Sequence, residues 1–474
     1  MSAETQELQR GLSNRHLQLI AIGGAIGTGL FMGSGTTIHK AGPSILLAYL
    51  LIGCILFLIM RALGDILLSN SKYKTFVDFT KEYLGERWAF LVGWTYWLCW
   101  VSIVIADCTV CGLYIQLWIP SVPTYVPGLI ILLLLWISNL ITVKMFGEFE
   151  FWFALIKIIA IIALIVVGLI LVFTGFNYIY TAPDSAEAAQ QALSGETVTA
   201  SFSHLVSNGG FFPKGAGGFF LSFQMVAFAF AGMEMLGLTA AETKDPEKNL
   251  PKAINNVPIR IAIFYIGALF VIMCIYPWNI VDPTQSPFVM VFKAAGITAA
   301  ATIINAVVLT SAASACNTAI FSTSRMMYSM AENKDAPNWF YKLSKNQVPA
   351  RALTLTLILA AAGVLLNYFI PVAATVFEMI SSVSTVCFLF VWLTILCAHI
   401  AYKKKNPALA EKSVYKMPFF PIANYICIIF CFLVLVIMAF IPETRVGVIF
   451  TPVWFILLFI LYAIFRNKKK AVQE

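Results

Sequence analysis

Ile22-Gly23-Gly24-Ala25-Ile26-Gly27-Thr28-Gly29-Leu30-Phe31 lies inside the first long apolar run of the chain, and Gly33 and Gly35 follow closely. An apolar run of this kind should be helical, yet each glycine weakens a helix by about 1 kcal/mol relative to alanine. Two readings account for so many of them. Small residues at four-residue spacing let neighbouring helices approach closely. In the other reading the helix is interrupted, with Gly27-Thr28-Gly29 unwound near the middle of a bilayer and its amide and carbonyl groups freed for a ligand. Phe228-Ala229-Phe230-Ala231-Gly232-Met233-Glu234 offers a counterpart in the later half of the chain. Paired interruptions of this type point to a transport site at the midplane. The positive ends of half-helices suit a carboxylate and freed carbonyls suit an ammonium, so a zwitterionic amino acid matches both.

The surrounding composition supports a membrane setting. Of 474 residues, 60% are hydrophobic and 11% charged, against roughly 25% charged in a soluble domain. The fold class expected is an all-α polytopic membrane protein of about twelve helices. Spans are expected at 17–38, 43–68, 89–117, 126–144, 150–175, 217–240, 256–279, 297–324, 352–370, 374–401, 419–440 and 447–466. Cations collect in alternate loops: Arg10 and Arg15, then Lys72, Lys74, Lys81 and Arg87, then Lys244, Lys248 and Lys252, then Lys334, Lys342, Lys345 and Arg351, then Lys403 to Lys405 and Lys468 to Lys470. The opposite loops hold only the isolated Lys40, Lys214, Lys293 and Arg445. By the positive-inside rule both termini are expected in the cytosol. The polar start, residues 1–16, needs no cleavable leader to explain it, and the first span is expected to serve as its own signal. The segment 71–87 has the spacing of a helix lying on the inner membrane surface, and 176–214 reads as a solvated external loop.

Other function classes find little support. All ten cysteines fall in apolar runs, which leaves no material for a disulfide scaffold. Cys108 and Cys111 form a C-x-x-C without the context of a redox or zinc site, and the four histidines are scattered. No metal, cofactor or assembled catalytic set is expected, so the chain does not read as an enzyme. The net charge of +8 is spent in loops between spans, which removes the case for nucleic acid.

Ionisable residues inside spans cost about 2.5 to 3.5 kcal/mol on insertion scales, so each needs a reason. Arg61 and Asp65 are four apart and are expected to pair on one helix. Asp107 lies deep in the third span, and Glu234 follows the second interruption. Lys157, in Phe153-Ala154-Leu155-Ile156-Lys157-Ile158-Ile159, either snorkels to headgroups or serves the interior.

The Ile22 to Phe31 motif, together with Thr239-Ala240-Ala241-Glu242-Thr243-Lys244-Asp245-Pro246-Glu247-Lys248 and Leu250-Pro251-Lys252-Ala253-Ile254, closely resembles the amino-acid permeases of the amino acid–polyamine–organocation superfamily. Val143-Lys144-Met145-Phe146-Gly147-Glu148 and Leu309-Thr310-Ser311-Ala312-Ala313-Ser314 resemble its D-serine, D-alanine and glycine subgroup. Gly64-Asp65 departs from the family's usual Gly-Glu by one methylene. The resemblance implies a cytosolic tail at 1–16, two inverted five-helix repeats at 17–175 and 217–401 joined by an external loop at 176–216, two added helices within 402–466, and a cytosolic tail at 467–474. It implies that a substrate carboxylate meets Thr28 and the amides around Gly27 and Gly29. The ammonium would meet carbonyls near Ala25, Phe228 and Ala231, with Phe228 also an aromatic gate. It further implies that Lys157 takes the place of a sodium ion, near the eighth-helix hydroxyls Thr310, Ser311 and Ser314. Lys157 is thus a candidate for proton coupling, and Glu234, from its place after the second interruption, either bonds to freed backbone or titrates with transport as a second candidate. Proton symport of small neutral amino acids across a bacterial plasma membrane is the function expected. An exchanger of the same fold, or a permease for cationic amino acids, stands as the alternative.

Overall fold

The computed structural model describes residues 26–70, 73, 75–141, 143–180, 193–235, 245–294, 298–370 and 372–471. Gly23, Gly24 and Ala25, the polar N-terminal tail, the middle of the long loop at 181–192 and the motif residues 239–244 lie outside them. Helices dominate: α1 Thr28–Phe31, α2 Gly33–Ala41, α3 Ile45–Leu67, α4 Phe76–Leu84, α5 Glu86–Gln116, α6 Tyr125–Ile141 and α7 Val143–Phe173. After the long loop come α8 His204–Ser207, α9 Gly215–Leu221, α10 Phe223–Ala229, α11 Pro246–Ile275 and α12 Pro287–Ala294. The chain closes with α13 Thr298–Glu332, α14 Ala350–Phe369, α15 Ala373–Lys405, α16 Ile422–Phe440 and α17 Pro442–Ala471.

Among the described residues nine helices are long and apolar enough to cross a membrane, and Tyr125–Leu140 and Gly215–Ala229 are shorter apolar helices. One of the nine, Gly33–Leu67, is turned at Gly42–Ser44, where Gly42 takes φ +61 and Pro43 opens the next segment. Helix α5 is buried along most of its length and packs against α13 and α15, whereas α17 lies at the edge. The outer helices reverse the pattern of a soluble protein. On α7, Ile159, Ile162, Val166 and Ile170 form an exposed stripe at helical spacing, the face that lipid covers.

Three segments differ from the reading of sequence alone. Helix α4 carries the capping box of Thr75 and Asp78, but its apolar face is not left for lipid. Phe76 packs edge-on against Tyr96 and Tyr83 against Tyr402, so the face closes the end of the bundle. The long loop includes a short antiparallel pair, β1 Asn177–Ile179 with β2 Thr197–Thr199, which Tyr178 ties to the Ile275 carbonyl at 3.0 Å. Strands of three residues are too short to show an alternating pattern. Arg61 and Asp65 do not pair. Asp65 meets Lys403 at 2.7 Å, His399 at 3.1 Å and Ser413 at 2.7 Å, while Arg61 donates to Asn255 and the Lys416 carbonyl and lies over Tyr415. Each finds a partner on another element, because adjacent helices approach a buried carboxylate better than its own helix does.

Candidate functional site

The helix start at Thr28 and the helix end at Ala229 abut, and the residues beyond each, 1–25 and 236–244, lie outside the described ones. Gly27 is extended (φ −121, ψ −166), and α1 begins directly after it without a side-chain cap. The first amides of a helix have no partner within it, so those of Thr28 and Gly29 face the break. On the other side α10 stops at Ala229, and Gly232 takes φ +88, a conformation that glycine enters without strain. A methyl on Gly29 would lie 2.5 Å from the Ala229 Cα, so this glycine lets the two broken helices touch. A methyl on Gly27 would meet nothing within 4 Å among the described residues. Gly29 thus serves close packing. Of the expected unwound stretch only Gly27 is extended, since Thr28 and Gly29 are helical and the Gly27 carbonyl accepts the Leu30 and Phe31 amides.

The aromatic residues of the second break face different ways. Phe228 packs edge-on against Phe377 of α15, ring centroids 5.8 Å apart. Phe230 is turned to Tyr49 of α3 and Tyr265 of α11, at 5.7 and 4.9 Å. Ala231 is half-buried between buried Phe230 and Gly232, and its amide bonds to the Phe228 carbonyl at 2.9 Å.

Lys157 is 1% exposed and does not run out toward the end of α7. Its Nζ donates to the Ile26 carbonyl, at 3.4 Å, on the unwound side of the first break. Ser311 of α13 donates to the same oxygen at 3.4 Å. The charge of Lys157 is felt by two buried carboxylates, Glu150 on its own helix and Asp107 on α5. Asp107 accepts the Thr28 hydroxyl at its Oδ1. Thr28 and Asp107 thus pair, while Lys157 and Ser311 share the Ile26 carbonyl, so groups from α1, α5, α7 and α13 gather at the start of α1. Thr310 stands apart, because its hydroxyl returns to the Val307 carbonyl of its own helix at 2.8 Å. Ser314 is directed to Glu150 instead, at 2.8 Å.

Glu234 lies in a separate cluster. It is fully buried, and Tyr96 and Trp392 stand beside its carboxylate without meeting hydrogen-bond geometry. Trp100 closes over Gly232, its Cη2 3.0 Å from where a Cβ would sit. Ala25 lies outside the described residues. Sequence reasoning missed Glu150, Asn317 and Asn139. Glu150 was hidden by its place at the start of an expected span, where a carboxylate reads as solvated. Its separation of seven from Lys157, two turns on one helical face, was the available sign. Cys108 comes within 3.5 Å of Cys316, all ten cysteines are free, and the described residues hold no group able to bind a metal ion.

A bundle of long apolar helices in which the start of α1 and the end of α10 abut, with charged groups buried beside them, fits a multi-pass membrane transporter. Residues 16–474 match the family described as amino acid permease, and the chain belongs to that family. It is similar to the uncharacterized transporter YdgF of Bacillus subtilis (strain 168), 56% identical over 98% of this chain and 97% of the relative. It is also similar to the amino-acid permease AapA of the same organism, 55% identical over 99% and 98%. The D-serine/D-alanine/glycine transporter of Escherichia coli (strain K12) is 50% identical over 99% and 96%. The protein transports amino acids and is not an enzyme.

Proposed function

We propose that the protein imports glycine, alanine and serine, D-isomers included, by proton symport across a bacterial cell membrane, with both termini in the cytosol. The observation that carries this reading is Lys157, an ammonium held at the unwound backbone of the first break by the Ile26 carbonyl. A lysine out of water gives up its proton more readily than a solvated one, so it can titrate as the site opens to either side. An exchanger needs no such group. One proton driven by about 100 mV and about one pH unit supplies roughly 3.7 kcal/mol, or several hundredfold accumulation.

The ligand is held by its main-chain groups. Its carboxylate takes the amides at Gly27 to Gly29 and the Thr28 hydroxyl, and its ammonium takes carbonyls at Phe228 and Ala231 and at Ala25. Phe228 covers the site, and Glu234 is a second titrating group toward the cytosol. Recognition through groups common to both enantiomers leaves selection to side-chain volume. A small side chain exchanges place with the α-hydrogen at little steric cost, which links smallness to tolerance of D-isomers. The similarity to a D-serine/D-alanine/glycine transporter supports the same reading.

Competition against labelled glycine uptake in proteoliposomes under an imposed pH gradient tests it. Strong inhibition by D-alanine, D-serine and L-alanine with little by L-lysine is expected. Inhibition by L-lysine with none by the D-isomers contradicts the substrate assignment.

A further inference from the structure

Glu150 is buried as deeply as Lys157, 1% exposed, and the hydrogen bonds described for it come from neutral groups. Its Oε2 accepts the Ser314 hydroxyl at 2.8 Å and its Oε1 accepts the Asn317 amide at 3.1 Å, both from α13. Asn139 of α6 donates to the Asn317 Oδ1 at 2.7 Å, which orients the Asn317 amide with its NH2 toward the carboxylate. Three helices thus cooperate to hold one buried carboxylate by neutral donors. Burying such a group is expensive without a paired charge, so its retention calls for a use.

Its place along the helix suggests the use. Seven residues at 1.5 Å each put Glu150 about 10 Å from Lys157, on the same face and toward the Val143 end of α7. Among the described residues the titratable groups facing Lys157 are Glu150 and Asp107, and the one facing Glu150 is Lys157. From α13 and α6 the groups around Glu150 are Ser314, Asn317, Thr318 and Asn139, none of which titrates.

We propose that Glu150 is the proton acceptor for Lys157 on the Val143 side of the protein. The Lys157 ammonium loses a proton through intervening water to the Glu150 carboxylate, giving a neutral amine and a carboxylic acid. The acid then releases the proton to water at the Val143 end and returns to carboxylate. The step has no net charge change within the pair, and Asn317 and Asn139 are its positioning residues. This rests on the symport reading, in which the Val143 end faces the cytosol.

Glu150→Gln keeps the shape and the Asn317 contact and removes the acceptor. Proteoliposomes carrying this variant are compared with wild type for pH-driven accumulation of labelled glycine and for glycine–glycine exchange, in which the lysine stays protonated. Accumulation is expected to fall by about a hundredfold, the lower end of what one positioned proton-transfer group contributes, while exchange is largely retained. Glu150→Asp, which keeps a carboxyl group, should recover part of the accumulation. Wild-type accumulation in Glu150→Gln, equal loss of exchange, or a Glu150→Asp no better than Glu150→Gln each overturns the assignment. Wild-type accumulation that withstands a protonophore contradicts the symport reading itself, which separates the two failures.

Discussion

Phe228 and Phe230 are two residues apart and chemically identical, yet their rings enter different surroundings. Phe230 fills a slot between Tyr49 and Tyr265, deep between α3 and α11, while Phe228 meets Phe377 across the gap to α15. Removing either ring opens a cavity, and Phe→Ala in a packed interior costs about 3 to 5 kcal/mol. The expected outcomes nevertheless differ in kind. Phe230→Ala should lower thermal stability in detergent, with transport per folded molecule preserved. Phe228→Ala should impair transport with normal membrane levels. Equal loss of transport per folded molecule in the two variants removes the gate from Phe228. Sequence alone separates these side chains only through the break, because a continuous helix would rotate residues two apart by about 200° without saying which one meets the ligand.

The glycine-rich segment, among the elements, was the most legible, since glycine density in an apolar run has few physical explanations. What it did not disclose was the division of labour within it. Gly29 is pressed against the Ala229 backbone and Gly27 meets no described atom within 4 Å, a difference set by a helix roughly two hundred residues away. Gly29→Ala should therefore destabilise the fold by about 1 to 3 kcal/mol, the usual cost of overpacking, read as a lowered Tm. Gly27→Ala should keep the Tm and raise the KM for glycine. A lowered Tm for Gly27→Ala with unchanged KM contradicts this account. Spans were legible from apolar length, and their ends less so. Helix α11 starts at Pro246 rather than 256, because Leu250 and Ile254 are buried on an otherwise charged turn that no hydropathy window includes. The partners of Asp65 were out of reach for another reason. Lys403, His399 and Ser413 lie more than three hundred residues from it, and only the folded bundle brings them together.

Among the described residues Asp107 and Lys157 are buried where α1 meets α5, α7 and α13, apart from the buried Asp65 and Glu234, and the lipid-facing surface is left apolar. This distribution suits a carrier that moves a proton and a zwitterion together through a bilayer that tolerates neither. The central claim is that Lys157 couples the two. It is tested most directly in proteoliposomes by recording proton entry with an internal pH indicator while labelled glycine uptake is measured, for wild type and for Lys157→Met. Wild type should take up protons with glycine and lose accumulation on addition of a protonophore. Lys157→Met should show neither proton entry nor accumulation, and should still bind glycine. Proton-linked accumulation in Lys157→Met at the wild-type level would contradict the account.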